Sequence, residues 1–278
     1  MSSRLAGALT RALLVVLFVM TPGLMLPSHG ERMSDVVALI ALSAAAITFL
    51  EYMSEYPSVV EFRDAPPYNR LRFGAAFLTL AALTLMLRGD YQPTLISELF
   101  AALGGAIGRL FDLPFSPVRN ILLALPPDMS TQAVHDIRTL AAISYLGSLI
   151  SIAVFFALSR GGSWPGRELA FNVWVNLPTF DPTAGGDVVH RLQRDARVYL
   201  LLGVLLPFVI PAGISVLTGA GTPLALEAPQ ALVWTLILWA FLPSSLVMRG
   251  IALGRVAHMI DDARRRRYAE FGEDEALA

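Results

Sequence analysis

Thr139-Leu-Ala-Ala-Ile-Ser-Tyr-Leu-Gly-Ser-Leu-Ile-Ser-Ile-Ala-Val-Phe-Phe-Ala-Leu-Ser159 runs for 21 residues without a charge. At about 1.5 Å of rise per residue, a helix of that length covers a hydrocarbon layer of roughly 30 Å. Val198 to Leu217 and Ala231 to Met248 do the same almost unaided. Three further apolar stretches precede them, Ala12 to Pro27, Val36 to Leu50 and Phe73 to Leu87. The second and third of the six are short, and they span only if flanking groups reach the interface; Arg70, Arg72 and Arg88 are placed to snorkel there. A soluble core also uses short apolar runs, but 55% hydrophobic residues with 15% charged argue for a bilayer as solvent.

Arginine gives the orientation, because the chain has no lysine. With the N-terminus in the cytoplasm, the inner segments hold Arg4 and Arg11; Arg63, Arg70 and Arg72; Arg160, Arg167, Arg191, Arg194 and Arg197; and Arg249, Arg255 and Arg264 to Arg267. The outer side keeps Arg32, Arg88, Arg109, Arg119 and Arg138, 5 of 21. This is the positive-inside asymmetry. It predicts an all-α, polytopic bundle of about six transmembrane helices in a bacterial inner membrane, with both termini cytoplasmic. Residues 1–260 are expected to form one domain and 261–278 a charged tail. The first stretch, ending at Ser28-His29-Gly30, also fits a cleavable signal peptide; a retained helix is preferred.

Missing residue types narrow the chemistry. Without lysine there is no phosphate-loop lysine or Schiff base, and without cysteine no disulfide, thiolate zinc site or cysteine-held cluster. His29, His135, His190 and His258 lie outside the apolar stretches, whose middles also lack acids and arginine. That argues against an embedded haem and against proton-coupled or ion-coupled transport. No cofactor, metal or nucleic acid is expected. Pro207, Pro211 and Pro243 read as kinks, with a helix break at a solute site as the minority reading.

The densest polar cluster follows the second stretch. Glu51 and Glu55 are four apart, as are Tyr52 and Tyr56, so a helix continuing to Pro57 would carry a carboxylate stripe beside an aromatic one. Pro66 and Pro67 then turn the chain towards Tyr68, Asn69 and Arg70. Glu51, Tyr52, Glu55, Tyr56, Arg63, Asp64, Tyr68 and Arg70 are the candidate partner-binding or headgroup-binding residues, Arg63 and Arg70 offering forked donors to a phosphate or carboxylate. The plainer reading is that tyrosine and arginine simply belong at an interface and the charges pair locally. A metal between Glu51 and Glu55 has no histidine to help it.

Ile96, Leu99, Phe100, Leu103, Ile107, Leu110 and Phe111 repeat at three and four residues, as in an amphipathic helix on the outer leaflet, with Gly104 and Gly108 permitting close approach. Pro117 to Asp128 reads as irregular with a short apolar turn. Phe171 to Asn176 alternates like a strand but has no mate, so Trp164 and Trp174 read as interfacial anchors. Asp187 is placed to cap a helix that runs into the fifth span. Arg264, Arg265, Arg266 and Arg267 are expected to contact anionic lipid, with Asp261 and Asp262 offsetting them in part. Small residues at Ser43 to Ala46 and at Ser144, Gly147, Ser148 and Ser151 mark two faces for the bundle interior.

These features point to a non-enzymatic accessory, assembly or scaffold protein that binds other membrane proteins. The alternatives are an enzyme acting on a lipid headgroup through Glu51, Glu55, Asp64 and Arg70, and a facilitator for an uncharged solute.

Overall fold

A computed structural model describes residues 2–27, 31–161, 164–165, 171–181, 183–219 and 228–277. Arg167, Ser28-His29-Gly30 and most of the Thr218 to Gln230 connection lie outside them. Among the described residues every regular element is a helix: α1 (Ser2–Met25), α2 (Glu31–Met53), α3 (Tyr68–Gly89), α4 (Leu95–Phe111), α5 (Pro117–Leu123), α6 (Thr131–Arg160), α7 (Val173–Asn176), α8 (Val188–Gly219) and α9 (Pro229–Leu277). Six of these, α1, α2, α3, α6, α8 and α9, are long and apolar enough to cross a membrane. The two stretches that looked short are cores of longer helices, since α2 has 23 residues and α3 has 22.

Helix α9 is the hub, packing against α8, α6 and α3. The α8–α9 approach depends on glycine. A Cβ at Gly250 would lie 2.8 Å from the Ala196 carbonyl oxygen, and one at Gly203 2.8 Å from that of Pro243. Backbones this close gain dispersion contacts without any hydrophobic driving force, which suits packing in lipid. Pro207 and Pro211 sit within α8 and Pro243 within α9, neither helix being broken there. The Trp239 indole N–H donates to the Pro207 carbonyl at 3.0 Å, joining the two helices at this point.

Ser144, Ser148 and Ser151 of α6 are buried, as their spacing predicts, and Gly147 faces Thr79 of α3. The second predicted face fails. Helix α2 packs on α1, with Ala41 buried, while Ser43 and Ala46 are exposed beside Leu39, Ile40 and Leu42. A helix at the edge of a bundle needs only one narrow seam, and composition alone does not say which side carries it.

Thr94 caps α4 by accepting from the Ser97 N–H at 3.2 Å, and Ser116 caps α5, the short helix within the segment read as irregular, by accepting from Arg119 N at 3.0 Å. Helix α4 buries Gly104 and Gly108 against α6. Of its apolar repeat, Ile107 and Phe111 turn to the core while Ile96, Leu99, Leu103 and Leu110 are exposed. Asp187 caps α8 through the Val189 N–H, and α8 continues unbroken as expected. Helix α9 carries its charged C-terminal part on to Leu277.

Candidate functional site

The arginine-bearing connections meet at one end of the bundle, held by contacts that run between them. Helix α2 stops at Met53, four residues before Pro57, so the Glu51/Glu55 and Tyr52/Tyr56 stripes do not form on a helix. The chain turns because the Glu51 carboxylate binds it. One oxygen accepts from the Ser58 hydroxyl at 2.5 Å, and the other accepts from the Ser58, Val59 and Val60 N–H groups at 3.0, 2.9 and 2.9 Å. Glu51 is 7% exposed, and its lone pairs are occupied.

Arg63 closes the same loop from the other side. Its guanidinium donates to the carbonyls of Glu51 (3.0 Å), in the last turn of α2 where a helix leaves carbonyls without partners, and of Ser54 (2.7 Å) and Glu55 (3.3 Å) just beyond it. Its Nε pairs with Asp64 at 3.2 Å. Phe62, at φ +52°, reverses the backbone between these bonds. That left-handed conformation is uncommon for a bulky residue and is held by packing: the Phe62 ring lies 4.5 Å from that of Tyr68 and 5.6 Å from that of Trp164.

The second arginine-bearing connection is bound to the first. Phe62 N donates to the Asn176 carbonyl at 2.7 Å, and Asp64 N to the Asn176 side-chain oxygen at 3.0 Å. Trp164 is fully buried, its indole N–H donating to the Ala65 carbonyl at 3.0 Å. The expectation of an interfacial anchor is therefore corrected at Trp164: an aromatic beside a loop with orphan carbonyls becomes their donor. Trp174 stays exposed. The alternating Phe171 to Asn176 segment contains one helical turn, α7, capped by Asn172. Glu61 completes the join, accepting from Arg249 of α9 and Thr179, each at 2.6 Å.

Seven of the eight predicted residues thus fall into two groups. Glu51, Arg63 and Tyr68 are interior, Tyr68 being 1% exposed in an aromatic cluster with Phe155 and Trp164. Glu55, Tyr56, Asp64 and Arg70 are exposed, and Tyr52 is half-buried beneath Arg11, whose guanidinium lies 4.4 Å from its ring centre. In the C-terminal run, Arg264 bonds Asp187 at 2.6 Å and Arg265 bonds Asp261 at 2.9 Å, while Arg266 and Arg267 project outward. The Arg264 hydrogen bond holds the Asp187 carboxyl below its ordinary value.

Sequence reasoning missed the cavity of about 460 Å³ beside this cluster. Val15 and Phe18 of α1, Phe73 and Ala76 of α3 and Phe241 of α9 form its apolar part, and Arg11, Arg63, Arg70 and Arg72 its polar mouth. The signal lay in Arg70 and Arg72 at the start of α3, two guanidinium groups beyond the one the loop needs. At the opposite end Asp90, His135, Asp136 and Thr139 line a smaller hollow of about 70 Å³. Burial, and then the nearby Asp136, raises the Asp90 carboxyl above its ordinary value. Among the described residues no group of acids and histidines is arranged to hold a metal ion. No protein-family model, no curated protein and no solved structure matches the chain.

Proposed function

We propose that this chain is a multi-pass protein of the bacterial inner membrane, with both termini in the cytoplasm, that serves as an accessory, assembly or scaffold component for other membrane proteins and catalyses no reaction. The carrying observation is the closure of the Glu51 to Asp64 connection upon itself and upon Asn176. It fixes a surface whose turn is held by Glu51, Arg63 and Asn176 and whose outward residues are Glu55, Tyr56, Val59 and Asp64, with Tyr56 65% and Val59 67% exposed. A preordered surface loses little entropy on binding, and an exposed aromatic beside an aliphatic residue and charges is the composition of an interface anchor. The exposed Ile96, Leu99, Leu103 and Leu110 of α4 suit contact with the outer leaflet or a second partner surface.

The lipid-enzyme reading is weaker in this geometry. It needs Glu51 among its acid and base groups, and that carboxylate accepts four hydrogen bonds from its own loop. The solute-facilitator reading finds α8 and α9 continuous through their prolines.

A photo-crosslinking amino acid at Tyr56 in native membranes tests the proposal. The expected result is a discrete protein adduct, lost when Val59 is changed to Asp, and absent when the same probe replaces lipid-facing Leu42. Adducts to lipid alone from positions 55, 56 and 59 would refute it.

A further inference from the structure

We infer that the cavity between α1, α2, α3 and α9 binds one phospholipid with a net anionic head, its phosphate at Arg11, Arg70 and Arg72 and its hydrocarbon against Val15, Phe18, Phe73 and Phe241. The inference rests on the membrane placement proposed above but not on the scaffold role.

The volume, about 460 Å³, lies in the range of small-molecule sites. Among the described residues its lining contains four arginines and no carboxylate. One of the four is unavailable, since Arg63 is engaged with the carbonyls of Glu51, Ser54 and Glu55. The other three keep free donors. Arg11 gives one bond to the Gly7 carbonyl at 2.7 Å and covers Tyr52. Arg72 gives one to the Ser245 hydroxyl at 3.3 Å and is also hydrogen-bonded to Tyr68, whose ring centre lies 5.2 Å from its guanidinium, which leaves part of its fork free. Arg70 has no hydrogen-bond or ion-pair partner among the described residues. Among the described residues no acid stands within ion-pair distance of any of these three. Asp64 is held by Arg63, and Glu61 by Arg249 and Thr179.

Three unbalanced guanidinium groups at the edge of a low-dielectric space disfavour an empty mouth. Their forked, planar donors match phosphate oxygens in pairs. A soluble phosphate satisfies that mouth but leaves the apolar walls without a partner. A zwitterionic lipid fills the walls yet brings its own cation against the arginines. An anionic phospholipid satisfies both, and the cytoplasmic leaflet supplies it at the depth where α3 begins.

The test is native mass spectrometry of the detergent-purified full chain, titrated separately with phosphatidylglycerol, phosphatidylcholine and inorganic phosphate. Phosphatidylglycerol should bind one per chain, about tenfold more tightly than phosphatidylcholine, with inorganic phosphate far weaker. Arg70→Gln should leave Tm unchanged and weaken phosphatidylglycerol binding about fivefold to tenfold. Ala76→Phe should weaken it by filling the apolar part while every arginine remains. Arg266→Gln, outside the cavity, should change nothing. Because Arg72→Gln also removes a contact to Ser245, Arg70→Gln and Ala76→Phe decide the matter. Equal binding of the two lipids, or phosphatidylglycerol binding indifferent to both variants, overturns the inference; inorganic phosphate binding as tightly as the lipid overturns its lipid source. A chain that needs no detergent for extraction removes the membrane placement itself, whereas a lipid-binding chain that captures no partner defeats only the scaffold role.

Discussion

Arg63 and Arg70 belong to one short segment and carry the same group, yet the fold uses them oppositely. The Arg63 side chain is 7% exposed and donates to three carbonyls around the end of α2. Arg70, in the first turn of α3, is exposed and without a partner among the described residues. Glu51 and Glu55 divide in the same way, one buried under backbone N–H groups and the other exposed. The controlling factor is distance from a helix C-terminus. A helix leaves its last carbonyls without acceptable partners in the backbone, and the nearest flexible guanidinium is recruited to them. A guanidinium that enters already on the next helix has no such demand nearby and stays available to a ligand.

That contrast is most severely tested at Glu51. Replacing it with alanine strips the Ser58, Val59 and Val60 N–H groups of their acceptor, and the loss of several charge-assisted hydrogen bonds in a buried site should cost about 3 kcal/mol. Glu51→Gln keeps one acceptor oxygen and should cost about half as much. Thermal unfolding in detergent measures both. If Glu51→Ala melted with the wild type, the carboxylate would not be what closes the loop, and its role as a ligand group would reopen.

Arg63→Gln should come next, at about 2 kcal/mol, since three carbonyls lose a charged donor. Arg70→Gln should stay within about 0.5 kcal/mol of the wild type. The pair sharpens the comparison because only the position differs. Equal losses would mean that Arg70 has a structural partner, and equal silence would mean that the clamp is decorative. Asn176→Ala should fall between them at about 1 to 1.5 kcal/mol, as it removes the acceptor for Asp64 N while the backbone bond from Phe62 N survives.

The helices themselves were legible because apolar runs of fixed length report directly on a bilayer-sized layer: Thr139 to Ser159 falls wholly within α6, and Ser144, Ser148 and Ser151 are buried on it. The arginine pattern was legible for a related reason, since it depends on which connections share an end and not on any one contact. What stayed hidden were pairings across long sequence separations. Nothing near Trp164 names Ala65 as its acceptor, and Asn176 lies 112 residues from Asp64. The end of α2 was misplaced for a physical reason too. Pro57 is a strong stop, but the Glu51 carboxylate offers the Ser58, Val59 and Val60 N–H groups an acceptor that a continuing helix would put out of reach. Of the cavity only the arginine pair at the start of α3 was legible, because its walls come from α1, α2, α3 and α9 and its existence depends on how those helices splay.

The smallest expected effect concerns an acid outside both groups. Asp187 caps α8 and bonds Arg264 of α9 at 2.6 Å, its side chain half exposed to solvent, so it compares an open clamp with the buried one at Glu51. The Arg264 hydrogen bond, opposed by slight desolvation and aided by the Val189 N–H, lowers its carboxyl from the ordinary value of 3.8. A carboxyl depressed in the folded state adds stability that is fully present above its unfolded value and is lost as pH falls through the folded one. Wild type should therefore melt slightly above Asp187→Asn at pH 6, and the two curves should converge as the pH is taken well below 3.8. Salt should shrink the difference at pH 6, because an exposed ion pair is screened within about 10 Å at 0.1 M. A gap that survived both acid and salt would show that the cap geometry, and not the charge, is what Asp187 contributes; Asn, which caps nearly as well, would then have to be worse for steric reasons.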